Sequence, residues 1–283
     1  MAGAMTEQES ACRHAVHAMG TRFEVVAHHP DAALARAACE AAMEEVLRLH
    51  ALWSPFERSS TIAKLNQAPV GVGRRLDRDT LDLLLACQRL HTRTGGLFDP
   101  TIGTLMAWWG FRGDDCGRAR SEPKPHWGMD TIGIDDRSMT AWRSDASITL
   151  DLGAIGKGAA LDAAGVILRD AGIESALLHA GTSSVLAIGA PPEALEGWRV
   201  QVGNHGPTVS LKDASLSVSE VGGRMVAIDG KDIGHILDPR SGEPVMGRTL
   251  AAVVCDSALD ADAWSTALLV GGEASEVRWA YVV

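Results

Sequence analysis

The sequence predicts a mixed α+β fold, with helices packed on mixed sheets in a single domain. Two long segments carry apolar residues at helical spacing, and residues 175–254 break into short strands at Gly, Pro and Asp. Helices and strands do not alternate in the strict βαβ order of a doubly wound sheet. Residues 13–29, RHAVHAMGTRFEVVAHH, alternate as strand with Gly20 as a bend. Asp31 then stands as the N-cap of an Ala-rich helix that runs through Trp53. A second helix spans about Asp77 to Arg93 and stops at Gly95-Gly96, where left-handed backbone costs little. The polar run GDDCGRARSEPKPHWG at 113–128 reads as an exposed loop. Short strands follow at 131–142 and 147–152, then a helix at 157–170, the strands of 175–254 and a last helix at 260–269. There is no internal repeat and no low-complexity linker. Residues 1–12 read as a disordered tail or cloning remnant, which leaves 13–283 as the folded unit.

Composition narrows the function. The chain has 283 residues, 26 Lys and Arg against 36 Asp and Glu, and a net charge of −10. That balance argues against a broad nucleic-acid footprint, which needs a basic face. No stretch reaches the ~18–20 apolar residues of a membrane span. The N-terminus has neither basic n-region nor apolar h-region, so the expected location is cytoplasmic as written, or periplasmic if a leader has been removed. The five cysteines, at 12, 39, 87, 116 and 255, are odd in number and form no CxxC pair. They read as reduced thiols, and Cys39 and Cys87 as small buried hydrophobes on helix faces.

Four segments can carry chemistry, and each has a plainer reading beside it. DLGAIGKGAALDAAG (151–165) ends a strand and opens a helix on small residues. Its amides can converge on a phosphate with Lys157 beside them, or the glycines can serve close packing; the spacing is not that of a P-loop. GGLFDPTIGTLMAWWGF (95–111) interleaves Phe98, Trp108 and Trp109 with Asp99, Pro100 and Thr101. It suits a planar ring held by polar atoms, though composition alone favours a core segment with two packed tryptophans. In LDADAWSTALLVGG (259–272), Asp262 and Thr266 stand four apart on one helix face. One carboxylate and one hydroxyl suit Mg²⁺, which takes further ligands from water and phosphate, though a solvent-facing pair has the same spacing. GHILDPRSGEPV (234–245) carries His235 and Asp238 on a strand and turn, where a lone histidine is more often structural. Gly-x-Ser-x-Gly and a Rossmann fingerprint are both absent.

The order of the segments says more than any one of them. MGTRFEV (19–25), LHALWSPFERSSTIAKLNQ (49–67), TGGLFDPTIGTLMAWWGF (94–111), DLGAIGKGAALD (151–162), GHILDPRSGEPV (234–245) and ADAWSTALLVGG (261–272) follow in turn. The chain thereby resembles the ApbE family of FAD:protein FMN transferases over about residues 17–272. The resemblance is most specific at 94–111 and 261–272. It implies a T-fold-like α+β domain with FAD in a cleft. It also implies Mg²⁺-dependent cleavage of FAD, transfer of FMN to a Thr or Ser hydroxyl of a partner flavoprotein, and release of AMP. By the same resemblance Met19 and Trp53 border the flavin, while Phe98, Asp99, Pro100 and Thr101 line its site. Lys157 lies beside the phosphates, His235 and Asp238 match the His-x-x-Asp-Pro contact, and Asp262, Thr266 and the Gly156 carbonyl hold the metal. Asp262 is then also the first candidate to take the proton of the incoming hydroxyl.

Two segments depart from the family pattern. LLHAGTSSVLAIG (177–189) has Thr182, Ser183 and Ser184 where many members carry Asn-x-Gly-Gly-Asp, and SVSEVGGR (217–224) replaces the usual Thr-Ser-Gly run. An FAD pyrophosphatase yielding FMN and AMP, or a non-catalytic FAD-binding maturation factor, would use the same cleft.

Overall fold

Seven antiparallel strands form the principal sheet of the computed structural model, which describes residues 11–112, 123–223, 225–228 and 231–283. They are β1 (Cys12–Ala18), β2 (Thr21–His28), β3 (Ser175–Ala180), β4 (Ser184–Ile188), β5 (Ala214–Glu220), β6 (Leu250–Cys255) and β7 (Trp279–Val282). Their spatial order is their chain order. Helices α1 (Ala32–Trp53), α2 (Thr61–Gln67), α3 (Arg78–Arg93), α4 (Gly103–Trp108) and α5 (Gly156–Asp170) lie between β2 and β3 in the chain, and α6 (Ala258–Val270) lies between β6 and β7. Residues 1–10, most of the expected tail, and 113–122, most of the expected loop with Cys116, fall outside the described residues.

Local chemistry sets most boundaries. The single strand expected at 13–29 is a hairpin, because Met19 and Gly20 both have positive φ, 50° and 75°, and reverse the chain tightly. The Asp31 carboxylate caps α1 by accepting the amides of Ala33 and Leu34. Asp77 does the same for α3 at Thr80, and Gly95 and Gly96, at φ 61° and 80°, end it. The strand expected at 147–152 is reduced to one parallel bridge from Thr149 to Ile102.

Period-two alternation divides the sheet into two faces. On β6, Ala251, Val253 and Cys255 enter the main core under the helices, and Ala252 and Val254 enter a second core. The hairpin Trp198–Gln201/Thr208–Leu211 covers that second face with Trp198 and Val200. On the helix face β5 offers Ser215 and Ser217, buried hydroxyls in a layer that is otherwise mostly aliphatic.

Helices α5 and α6 touch backbone to backbone. A Cβ on Gly158 would stand 2.1 Å from the Ala258 carbonyl oxygen, so only glycine permits the approach. Each helix start is then satisfied by a carboxylate of the other. Asp162 on α5 accepts the amides of Ala258 and Leu259 and the Ser257 hydroxyl. Asp262 on α6 accepts the Gly158 amide at 2.7 Å. Burial holds Asp162 above the usual carboxylate range, and its three donors offset this only in part.

A buried arginine secures the small sheet formed by Arg74–Arg75, Ile132–Asp135 and Thr140–Arg143. The Arg143 guanidinium donates to the carbonyls of Ala68, Ala146 and Ile148. Arg143→Met removes these donors and leaves buried carbonyls unpaired, so it should cost about 2–3 kcal/mol. Calorimetric melting checks this, and an unchanged Tm would mean that water replaces the guanidinium. Among the described residues no helix is long and apolar enough to cross a membrane.

Candidate functional site

One end of the principal sheet opens into a cleft of about 1510 Å³. Its rim is made by the turn at Met19–Gly20, the turn at Gly181–Ser183 and the end of β5 at Ser217–Glu220. The start of α5 and the cleft-facing side of α6 supply its floor, through Gly156, Lys157, Asp262 and Thr266.

Asp262 is the buried charge of this floor, only 3% exposed. Its Oδ1 accepts the hydroxyls of Ser184 and Ser217, each at 2.7 Å. Its Oδ2 accepts the Gly158 amide. A carboxylate oxygen has two acceptor sites, so Oδ1 is filled and Oδ2 keeps one lone pair. Thr266 Oγ1 lies 3.2 Å from the Asp262 carbonyl oxygen, to which it donates, and 3.2 Å from Ser219 Oγ.

The other expected residues divide between cleft and core. Met19 lines the cleft at its left-handed φ, and its amide donates to His50 Nδ1 at 3.3 Å. Trp53 lines it as well, its indole N–H donating to Thr80. Asp99 reaches the cleft wall with Oδ1 accepting the amide and hydroxyl of Thr101. Lys157 stands half-buried at the wall, 3.4 Å from the Gly153 carbonyl oxygen. His235 lines it too, edge-on to Phe111 with ring centres 6.5 Å apart.

Phe98, Pro100 and Thr101 do not line the cleft; all three are buried, and Phe98 belongs to the main core. The segment that follows them packs on itself. Leu105, Met106, Trp109 and Phe111 form a small core with Leu237, and the Trp109 indole donates to the Gly242 carbonyl. Asp238 also stands off the cleft, held by the amide and guanidinium of Arg240. Burial pushes its carboxyl up, but Arg240 outweighs burial and keeps it below the ordinary range.

Sequence reasoning missed the serines around Asp262. Their signal was SLSVSE, where period two places Ser215, Ser217 and Ser219 on one face of a strand otherwise rich in apolar residues. It also missed Arg112 and Phe56 at the cleft wall, where the guanidinium pairs with Asp151 at 2.7 Å and covers the exposed Phe56 ring.

The model of the ApbE family matches residues 19–281. The chain belongs to the ApbE family. The FAD:protein FMN transferase of Rhodobacter capsulatus is 31% identical over 277 residues, which cover 91% of this chain and 51% of the relative. This chain therefore spans about half the length of that relative. The FAD:protein FMN transferase of Klebsiella pneumoniae is 25% identical, covering 90% of this chain and 77% of its own. Among solved structures, the ApbE protein of Thermotoga maritima superposes with a TM-score of 0.83 at 28% identity, over 92% of this chain and 87% of its own. The flavinyl transferase ApbE of Pseudomonas stutzeri shares the fold, with a TM-score of 0.80 at 24% identity over 92% and 84%.

The floor of this ApbE cleft can be tested for a metal by its donor chemistry. Among the described residues no group of three or more His, Cys, Asp or Glu side chains forms a cage. What the floor offers is oxygen alone: one open lone pair on Asp262 Oδ2 and the hydroxyls of Thr266 and Ser219. A sparse oxygen set fits Mg²⁺, which keeps waters and accepts substrate phosphates, and does not fit a soft metal.

Proposed function

We propose that the chain transfers the FMN half of FAD to a threonine or serine hydroxyl of an acceptor flavoprotein and releases AMP. One observation carries the reading: an ApbE-family chain whose cleft floor holds a buried, pre-ordered carboxylate at the start of a glycine-lined helix. Attack on a pyrophosphate needs alignment and charge neutralisation more than covalent catalysis. Met19 and Trp53 wall the flavin end. Lys157 faces the phosphates with its ammonium, and the Gly153–Gly156 turn lets backbone approach them closely. Mg²⁺ held by Asp262 Oδ2, the Thr266 hydroxyl and the Gly156 carbonyl would supply the charge that draws electrons from the pyrophosphate oxygens. The single open lone pair of Asp262 can serve that cation or the incoming proton, not both at once. With the cation in place the proton passes to another cleft group, and the imidazoles of His50, His179, His205 and His235 all line the cleft.

The test is to incubate the protein with FAD, Mg²⁺ and a candidate acceptor, then assay AMP and protein-bound flavin fluorescence. Both products together support transfer. AMP without labelled protein means hydrolysis, and neither product means a binder.

Lys157→Ala should weaken FAD binding by about 1.5–3 kcal/mol, the worth of a charge-assisted hydrogen bond, or tenfold and upward. Fluorescence titration measures it. Unchanged affinity would place the Lys157 ammonium in solvent.

A further inference from the structure

We infer that Ser184 and Ser217 are positioning residues, which fix the Asp262 carboxylate so that a single lone pair faces the cleft. The inference rests on the proposed flavin transfer and names how this chain orders that carboxylate with neutral hydroxyls.

The hydroxyls are placed by strands, not by loops. Ser184 begins β4 and Ser217 lies within β5, the two strands paired with Ser217 opposite Ser184. Both project to the helix face, and they are 1% and 3% exposed. Little of either hydroxyl meets water, so each short hydrogen bond to Asp262 is strong and directional.

The direction of these bonds is set by the carboxylate, which accepts and has no proton to give. Ser265 Oγ contacts both Ser217 Oγ and the Asp262 carbonyl oxygen, and Ser219 Oγ lies 2.8 Å from Ser265 Oγ. A hydroxyl has one proton. Ser265 has that proton for either Ser217 or the Asp262 carbonyl oxygen, and in both cases the Ser217 proton goes to Asp262 Oδ1. The Ser184 proton fills the second acceptor site of the same oxygen, and the Gly158 amide fixes Oδ2. Three donors from three different elements therefore hold both oxygens.

A second acid in place of Ser184 would face Asp262 as a like charge, and would need a proton or a cation between them. Serine removes that requirement. The carboxylate of this chain is therefore ordered before any cation arrives, and the hydroxyls act on the metal only through Asp262.

The experiment is a double-mutant cycle read by calorimetric titration of the folded protein with Mg²⁺ in the presence of FAD. Ser184→Ala and Ser217→Ala should each weaken Mg²⁺ binding about tenfold, the usual effect of losing a partner that orients a metal ligand, with FAD affinity measured without Mg²⁺ unchanged. In an Asp262→Asn background neither substitution should weaken Mg²⁺ binding further. Ser217→Thr, which keeps the hydroxyl, should restore binding. A merely structural role predicts a lower Tm with unchanged Mg²⁺ affinity, and that result overturns the inference. So does an effect of the serines that persists without the Asp262 charge, or absence of Mg²⁺ binding by the unsubstituted protein. AMP release is assayed separately: a protein that binds Mg²⁺ with the expected coupling but releases no AMP from FAD fails the transferase reading alone.

Discussion

Asp262→Asn is expected to abolish FMN transfer while the fold survives. The amide can turn so that its oxygen accepts the Gly158 N–H and its NH₂ donates to Ser184 and Ser217, whose hydroxyls rotate to accept. The Gly158 amide and both serine oxygens then keep a partner, so Tm should move by only a few degrees. What is lost is the negative charge. A cation that stabilises a phosphoryl transition state is worth several kcal/mol, so AMP formation should fall on the order of a hundredfold or more. Thr266→Ala should act in the same direction more weakly, since a neutral hydroxyl contributes less than a carboxylate to a hard cation, and added Mg²⁺ should partly rescue it. Full metal-dependent turnover in Asp262→Asn would remove Asp262 from the chemistry.

Gly158→Ala should produce the largest loss of stability. The added methyl would meet the Ala258 carbonyl oxygen at 2.1 Å, its carbon at 2.4 Å and the Leu259 nitrogen at 2.7 Å. All three are main-chain atoms, so no side-chain rotation relieves the clash. Helices α5 and α6 must separate, stretching the caps that Asp162 and Asp262 provide. Overpacking and lost caps together should cost about 3–5 kcal/mol, a large share of a typical domain's stability. Gly165→Ala on the same helix is the comparison. Its methyl would meet the Leu186 Cδ2 atom at 2.5 Å, the end of a flexible side chain, and the cost should be smaller. Equal melting temperatures for the two variants would show that α6 shifts at little cost.

What the sequence revealed was what its local chemistry encodes. Asp31 and Asp77 cap the helices they precede because the signal and the bond lie within a few residues of each other. Helix α2 has two turns, too few to show a period, and its Ser60 cap went unread. Met19 beside Gly20 hid a reversal within an alternating run, since methionine rarely takes positive φ. At the site, the four-residue step from Asp262 to Thr266 was readable because one helix carries both. The serines that hold Asp262 come from strands 78 and 45 residues away, and no local pattern links them to it. Residues 98–111 divide between the two readings: Trp109 and Phe111 join a small core with Leu237 and the Gly242 carbonyl, while Asp99, Ile102 and Met106 line the cleft.

The exchange of caps between α5 and α6 ties the site to the order in which the chain assembles. Gly158 and Asp262 lie 104 residues apart, yet neither helix start is complete until both are present. A nascent chain that has made α5 but not α6 has the glycine turn with an unsatisfied amide and no carboxylate beneath it. The amide proton of Gly158 is therefore a reporter of the assembled site that needs no substrate. Its exchange with solvent should be as slow as that of the central strands in the intact protein, and should speed up ahead of global unfolding wherever α6 lifts away.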